Sequence, residues 1–327
     1  MFRVFSLPIL STVPRSGTWF LRYAISFLCH LERGGRIDDR LTGRVFGGAS
    51  GAAFDFQHFR GGPLFHVRGT LPDDHLFIGH TVCPGFAASD VDWWGATPFH
   101  VPGYDYFHEG MNYRYTPVDL AAYRYTPVHV RALERAARCG RSRPIVLVYR
   151  NPFDQAVSYY RYSQNHKESA YNSMNGRPLA ALALRDYLFD SALPSYAKQF
   201  ISFQMLAKRY PAQVRLVPYE QLMAQPIDVL AGILDHLSGT PRERPALADA
   251  VWLARRDHMK AIEKELGRSL DGTRVERGSH ISHVTSGRPD AHIDDGTRAE
   301  AMAFLDRLGL DIGLFERPHA KEAATAA

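Results

Sequence analysis

Cysteine and long hydrophobic runs are scarce in this sequence, and each scarcity excludes a class of protein. Only three cysteines occur among 327 residues, far apart and without a CxxC pair. This usage does not indicate a disulfide framework or a structural zinc site, and it is typical of a reducing compartment. The N-terminal run 2–13 lacks the features of a signal peptide, and the apolar segment 19–31 is too short to span a bilayer. We therefore expect a cytoplasmic protein with no membrane association.

Neither positive nor negative charge is in large excess. The sequence has 39 Lys and Arg against 34 Asp and Glu, a formal net charge of +5. An excess this small and this dispersed does not indicate binding to a nucleic acid duplex. It is compatible with a single phosphate-rich ligand, so we expect no nucleic acid partner.

The chain contains enough apolar sequence for a large core, since 45% of its residues are hydrophobic. Short runs of branched apolar residues are each followed by a longer segment with helical spacing. This alternation predicts an α/β fold, in which a parallel sheet is flanked by helices. The predicted strands cover residues 7–13, 76–78, 145–149 and 214–217. We expect one domain over residues 1–317, with long loop insertions, and a frayed tail over 318–327.

Helices are predicted from apolar spacing and from capping residues. Segment 19–31 is apolar except for a stripe of three polar residues, which predicts a nearly buried helix. Asn151 is a good N-cap, and Pro152 suits the first helical turn. Pro211 and Gly239 are predicted stops. Further helices are predicted over residues 184–209, 226–237, 245–266 and 297–308.

Two long stretches, between Glu32 and His75 and between Val82 and Val128, show no sustained period. They are rich in Gly, Pro and aromatic residues, which predicts loop insertions near a ligand site. The aromatic residues of the second stretch either line an apolar pocket or form the small core that the insertion needs. They are Trp93, Trp94, Phe99, Tyr104, Tyr106 and Phe107.

The stretch STVPRSGTWF, residues 11–20, places turn formers and hydrogen-bond donors between a strand and a helix. Backbone N–H groups, hydroxyls and a guanidinium at a helix N-terminus make a site for an anion. Gly17 allows close backbone approach, and the planar fork of Arg15 suits phosphate or sulfate oxygens. The alternative is an ordinary capped loop with a surface arginine. The stretch lacks the GxxxxGK[ST] pattern, which disfavours ATPase chemistry.

A second stretch, VYRNPFDQAVSYYRY, points to the same ligand class. Arg150 ends a predicted strand, and Ser158 lies two turns along the following helix. The carboxyl ends of parallel strands border the ligand crevice of open α/β sheets. We therefore expect Arg15 and Arg150 to point into one crevice, which suits a ligand with two separated anionic groups.

Together the two stretches resemble the signatures of the sulfotransferases that use 3′-phosphoadenosine-5′-phosphosulfate (PAPS). PRSGTWF stands where that family has approximately PKSGTTW, and RNPFDQAVSYY matches RNPxDxxVSYY. The resemblance implies a P-loop-like parallel α/β fold, PAPS as co-substrate and no required metal. It implies that Arg150 and Ser158 hold the 3′-phosphate. The implied cradle of the 5′-phosphosulfate consists of Arg15, Ser16, Gly17 and Thr18.

Three other parts of the chain correspond to family motifs, and two of them depart from the family's pattern. Trp19 and Phe20 stand where the family has a second Thr or Ser and then Trp, so the aromatic contact to adenine would pass to Phe20. In VRLVPYEQL, Tyr219 and Glu220 resemble the family's strand-end YE, which implies that Tyr219 lies near the adenine. The family's C-terminal RKGxxGDW loop has no good match. Its nearest counterparts, at 276–283 and 285–292, contain the candidate 3′-phosphate ligands Arg277 and Arg288.

The candidate general base is His80, which ends the predicted strand LFIGH. Histidine suits proton removal near neutral pH, and the family has a catalytic histidine at the end of the corresponding strand. The alternative is a hydrogen-bonded core histidine, and His66 is the second candidate base. The family's nearby lysine is absent, which leaves Arg15 or another group to stabilise the bridging oxygen.

The sequence therefore predicts a PAPS-dependent sulfotransferase acting on a hydroxyl of a small molecule. A long anionic glycan would require more clustered Lys and Arg than the chain has. Two alternatives stay open: a P-loop small-molecule kinase, and an inactive nucleotide-binding module of the same fold. No oligomeric state is predicted.

Overall fold

The computed structural model describes the six strands of one sheet and the helices around it. The described residues are 9–32, 34, 54–59, 62–67, 76–79, 144–165, 181–193, 196–197, 200, 203–204, 207–208, 210–239, 241–266, 293–307 and 309–315. For 54–59, 62–67, 76–79, 162–165, 262–266 and residue 9, the description covers the backbone only.

Six strands form one sheet in the order β2-β3-β4-β1-β5-β6. Strands β4, β1, β5 and β6 run parallel, β3 pairs antiparallel with β4, and β2 pairs antiparallel with β3. The predicted parallel sheet is confirmed, with its four strands close to the predicted bounds. The strands are β1 (Ile9–Thr12), β2 (Phe54–Phe59), β3 (Gly62–Val67), β4 (Leu76–Gly79), β5 (Ile145–Tyr149) and β6 (Val214–Pro218).

The β2–β3 hairpin lies in the first stretch for which the sequence predicted only a loop insertion, so that prediction is wrong there. Strand β2 reads FDFQHF, in which Phe54 and Phe56 alternate with Asp55 and Gln57 before His58 and Phe59 break the pattern. Alternation with a period of two is the pattern of a strand with one buried face. The surrounding glycines obscured this short signal.

Helices follow the parallel strands. Asn151 caps the second helix as predicted, because its Oδ1 accepts a hydrogen bond from the Phe153 N–H at 3.0 Å. Gly239 ends the fifth with a φ of 67°. The helices are α1 (Thr18–Glu32), α2 (Pro152–Asn165), α3 (Leu184–Tyr187), α4 (Tyr219–Ala224), α5 (Pro226–Ser238), α6 (Arg244–Leu253), α7 (Arg256–Leu266) and α8 (Asp295–Arg307), with a π-helical turn at Leu188–Ala192 and a 3-10 turn at Ile312–Leu314.

Two helix predictions need correction. The segment 245–266 is two helices, α6 and α7, because the chain turns at Ala254 and Arg255. The Arg255 guanidinium stacks on the Trp252 ring, 3.9 Å from its centre, and its Nε donates to Asp257 at the start of α7. These local contacts stabilise a turn without Gly or Pro. The segment from residue 184 begins as predicted but passes through a π-helical turn.

Two hydrophobic clusters lie on opposite faces of the sheet. Strand β5 contributes Ile145, Leu147 and Tyr149 to one cluster, together with residues of α2, α3 and α8. Its alternate residues Val146 and Val148 belong to the other cluster, together with α1, α5 and α6. Each fully buried large apolar side chain contributes about 1.5–3 kcal/mol.

The positions of α1 and α2 on the two faces of the sheet predict where a ligand crevice lies. The strands β1 and β5 are neighbours in the sheet, but α1 and α2, which follow them, pack on opposite faces. Where neighbouring connections diverge in this way, a crevice opens at the carboxyl ends of the strands. The two candidate stretches of the sequence both lie at this point.

Candidate functional site

The loop between β1 and α1 has an unusual backbone. Arg15 has a φ of 69° and is the one non-glycine residue with positive φ in the part of the chain that the structure describes. Gly17 also has positive φ, at 82°, whereas Ser16 between them does not. An arginine in this conformation costs about 1–3 kcal/mol. Alternating backbone conformations of this kind create a concavity for an anion. The Ser16 N–H does not contribute to it, because it donates to the Val13 carbonyl at 3.0 Å.

The start of α1 adds donors to this concavity. The first bond of the helix runs from the Leu21 N–H to the Gly17 carbonyl at 3.0 Å. The N–H groups of the first turn therefore have no acceptor within the helix, and they carry the positive end of its dipole. A phosphate or sulfate oxygen is the natural acceptor at such an end.

The two hydroxyls of the loop differ. The Thr18 Oγ1 lies 2.7 Å from the Thr12 Oγ1, so this hydroxyl is already hydrogen-bonded within the protein. Ser16 is fully buried, and its Oγ has no hydrogen-bond partner among the described residues. Leaving a buried hydroxyl unpaired is unfavourable. Ser16 is therefore the residue of this loop whose side chain best fits an additional anionic acceptor.

The two candidate stretches are in direct contact. The Arg15 Nε donates to the Ser158 Oγ at 3.2 Å. The Arg150 Nη1 donates to the Arg15 carbonyl in a longer hydrogen bond of 3.4 Å. The family resemblance implied that Arg15 and Ser158 hold different anionic groups, and these two side chains are in contact in the structure. The predicted crevice residues thus form one cluster at the ends of β1 and β5.

Three contacts hold Arg150 and the peptide group that follows it. Its guanidinium carbon lies 5.2 Å from the centre of the Tyr219 ring, a cation–π contact. Its carbonyl accepts a hydrogen bond of 2.8 Å from the Tyr196 hydroxyl. The next N–H along the chain, that of Asn151, donates to the Glu220 Oε1 at 3.0 Å. The backbone at Arg150 is therefore fixed before any ligand binds.

Tyr219 lies at the end of a third strand and contacts residues of both candidate stretches. It is the first residue of α4, directly after β6. Besides contacting Arg150, its ring packs against the loop, because a Cβ built on Gly17 would lie 2.9 Å from the Tyr219 Cε2. Glycine is the one residue that tolerates both this approach and the positive φ. The family resemblance indicated a site role for Tyr219. No pattern in the sequence distinguished Tyr196 from an ordinary core residue.

Trp19 and Phe20 are half-buried and pack against the cluster on the α1 face of the sheet. The Trp19 ring lies 4.7 Å from the guanidinium carbon of Arg22, which is itself buried. Trp19, which replaces the family's second Thr or Ser, and Phe20, the predicted adenine contact, thus lie directly after the loop, at the start of α1.

Several predicted site residues lie outside the described residues, namely His80, Arg277 and Arg288. For His66, in β3, only the backbone is described. The backbone of β4 ends at Gly79, which is paired in register with Ser11 of β1. His80 therefore follows a strand that ends at the same sheet edge as β1.

The described residues contain neither a candidate membrane span nor a candidate metal centre. None of the described helices has the length and hydrophobicity needed to cross a bilayer. No group of three His, Cys, Asp or Glu side chains in the described ranges is arranged to hold a metal ion.

The chain matches one protein family and is similar in fold to several solved structures. The family described as "Sulfotransferase domain" matches residues 139–303, half of the chain, which include Arg150, Ser158 and Tyr219. No curated protein matches. Among solved structures, the mouse sulfotransferase SULT7A1 complexed with PAP is 14% identical, with a TM-score of 0.47 over 99% of this chain and 90% of that chain. A retinol dehydratase in complex with androsterone and inactive cofactor PAP is 14% identical, with a TM-score of 0.42 over 93% and 81%. By the extent of the domain match, the chain belongs to the sulfotransferase domain family.

Proposed function

We propose that the protein transfers a sulfuryl group from PAPS to a hydroxyl group of a small acceptor molecule. The observation that carries this proposal is the cluster of Arg15, Ser16, Arg150 and Ser158 at the adjacent ends of β1 and β5. Two arginines, a helix N-terminus and a buried hydroxyl without a partner among the described residues suit a ligand with several phosphate and sulfate oxygens.

The donor is proposed to bind with its two anionic ends on different parts of this cluster. The loop N–H groups, Arg15 and the Ser16, Gly17 and Thr18 segment hold the 5′-phosphosulfate. Arg150 and Ser158 hold the 3′-phosphate, and the C-terminal candidates Arg277 and Arg288 cover it. Tyr219, Trp19 and Phe20 are proposed to lie near the adenine. The buried Ser16 hydroxyl supports this arrangement, because a sulfate or phosphate oxygen would satisfy it.

The proposed reaction has three requirements: an in-line acceptor, charge neutralisation and removal of the acceptor proton. The acceptor oxygen forms a bond to sulfur while the bond between sulfur and the 5′-phosphate oxygen breaks. The acceptor proton passes to His80, and adenosine 3′,5′-bisphosphate (PAP) leaves. Arg15 neutralises charge on the leaving phosphate. The proposed chemistry assigns no role to a metal ion.

The acceptor is proposed to be a hydroxylated small molecule, taken up by the aromatic insertion between Val82 and Val128. The aromatic composition of that insertion supports an apolar pocket. Cytoplasmic placement is proposed from the cysteine usage alone. The domain is proposed to extend over residues 1–317.

Calorimetric titration with PAP and with ADP tests the donor site. We expect PAP to bind, ADP to bind far more weakly, and Arg150→Ala to weaken PAP binding by about 10- to 100-fold. Arg215→Ala is a matched control, because Arg215 lies on β6 and donates to the Gly232 carbonyl. Equal binding of the two nucleotides would favour a kinase. PAP binding without turnover on a panel of hydroxylated acceptors would favour an inactive nucleotide-binding module.

A further inference from the structure

Gln155 makes a contact with the loop that neither the sequence nor the resemblance indicated. It lies on α2, its side chain is 4% exposed, and its Nε2 donates to the Pro14 carbonyl at 3.1 Å. Pro14 has no N–H, and its carbonyl can only accept, so the donating nitrogen of the amide must face the loop. The signature RNPxDxxVSYY leaves this position open, so the resemblance assigns no role to Gln155.

Gln155 acts beside the residues already assigned to the site. It lies three residues before Ser158 on α2, and residues with this spacing share one helix face. That face therefore contacts two successive loop residues, Pro14 through Gln155 and Arg15 through Ser158. The Arg150 guanidinium contacts the next carbonyl, that of Arg15. Among these three contacts, the one from Gln155 carries no formal charge.

The Pro14 carbonyl is the group that controls the loop backbone. It belongs to the planar peptide unit that joins Pro14 to Arg15, in which C=O and N–H point in opposite directions. A hydrogen bond that fixes the carbonyl therefore also fixes the direction of the Arg15 N–H and the rotation that sets its φ. That φ is the unfavourable value of 69°. Strained backbone persists only where surrounding contacts hold it.

We infer that Gln155 is a positioning residue for the donor site: its amide holds the Pro14 peptide so that Arg15, Ser16 and Gly17 keep the conformation that receives the nucleotide. This inference rests on the proposed function for its ligand. Its structural part, the holding of the loop, can be measured without any ligand. Gln155 contacts neither donor nor acceptor in this proposal and acts through the loop alone.

The test compares Gln155→Met with wild type in two measurements. Methionine has a similar volume but no donor, so we expect PAP to bind about tenfold more weakly. In the nucleotide-free protein, the Ser16 amide reports on the loop because its N–H donates to the Val13 carbonyl at 3.0 Å. Its hydrogen exchange should be about tenfold faster in the variant. In turnover, the KM for PAPS should rise while the KM for the acceptor stays unchanged.

Gln204→Met is the matched control. Gln204 is also 4% exposed, and its amide donates to the Gly309 carbonyl at 3.0 Å and accepts from the Asp311 N–H at 2.8 Å. This variant should lower the melting temperature and leave PAP affinity and Ser16 exchange unchanged. If both methionine variants shift PAP affinity and Ser16 exchange equally, the effect is general destabilisation and the inference is wrong. If Gln155→Met fails to fold, Gln155→Asn withdraws the amide by one methylene group with the same expected results.

The outcomes separate this inference from the proposed function. Unchanged Ser16 exchange in the Gln155 variants overturns the inference whether or not the protein binds PAP. Wild-type protein that does not bind PAP overturns the proposed function, and the exchange rate then decides by itself whether Gln155 holds the loop. Faster exchange together with weaker PAP binding supports both.

Discussion

The Arg15 Nε donates to the Ser158 Oγ at 3.2 Å, which connects the loop after β1 to the helix after β5. The two residues are 143 positions apart in the sequence. Arg15 lies just before α1 and Ser158 lies on α2. Because α1 and α2 pack on opposite faces of the sheet, this bond joins the two sides of the predicted crevice. It fixes the plane of the Arg15 guanidinium, and the geometry with which a guanidinium meets a phosphate or sulfate depends on that plane.

Ser158→Ala should weaken PAP binding by about three- to tenfold, because the 3′-phosphate loses a proposed hydroxyl ligand and Arg15 loses the acceptor that orients it. Calorimetry measures the affinity. Ser191→Ala is the control, since it removes a serine hydroxyl that is buried and has no hydrogen-bond partner among the described residues. The control variant should bind PAP like wild type. Wild-type affinity in Ser158→Ala would contradict a role for this contact in the site.

Gly17→Ala should lower both stability and PAP affinity. At Gly239, which has positive φ and no atom within 4 Å of a built Cβ, alanine brings the backbone penalty alone, about 1–2 kcal/mol. At Gly17 the new methyl group also meets the Tyr219 ring at 2.9 Å, which adds about 1–3 kcal/mol and displaces the ring. Denaturant unfolding and PAP titration of the two variants separate the effects. PAP affinity that falls equally in both would exclude a specific role of the Tyr219 contact.

Glu220→Ala should destabilise the backbone after Arg150. The Asn151 N–H would lose a charged acceptor, which costs about 1.5–3 kcal/mol in unfolding free energy. Glu220→Gln keeps an acceptor oxygen and should retain most of the stability. Urea unfolding measures the difference between the two variants. Equal losses in both would mean that the carboxylate charge matters and the hydrogen bond to Asn151 does not.

His80→Ala should reduce kcat by about 100-fold or more and leave PAP affinity close to that of wild type. The expected cause is loss of the group that removes the acceptor proton. Steady-state kinetics and calorimetry provide the two readouts, with His66→Ala as the parallel variant. Normal turnover in His80→Ala, with loss in His66→Ala, would transfer the role of base to His66.

Asp294 should respond to acid in a defined direction. Its pKa is lowered because the Thr297 hydroxyl donates to its Oδ2 at 2.7 Å and the Thr297 N–H donates to its Oδ1 at 2.8 Å. A pKa that is lower in the folded state stabilises the fold above the unfolded pKa of about 4, and the contribution disappears as pH falls through the folded value. Thr297→Val should raise the Asp294 pKa in an NMR titration, whereas Thr297→Ser should leave it low. An unchanged pKa in Thr297→Val would rule out the hydroxyl as the main cause.

Local sequence patterns predicted much of the fold. The branched apolar run of β5, the Asn151 cap and the Gly239 stop each depend on neighbouring residues, and each was found where expected. The β2–β3 hairpin and the turn at Ala254 were missed. Their signals are a short alternation inside a glycine-rich stretch and a turn held by side-chain contacts, which periodicity does not reveal.

The order of residues along the chain predicted an anion site at two strand ends. Turn formers, hydroxyls and arginines after apolar runs indicate an anion site wherever the strands lie in the sheet. Which of these residues are in contact depends on the tertiary fold. The contacts of Arg15 with Ser158, Gly17 with Tyr219 and Gln155 with Pro14 depend on β1, β5 and β6 being neighbours in one parallel sheet. Strand order results from long-range packing of two hydrophobic clusters, and no local stretch of residues encodes it.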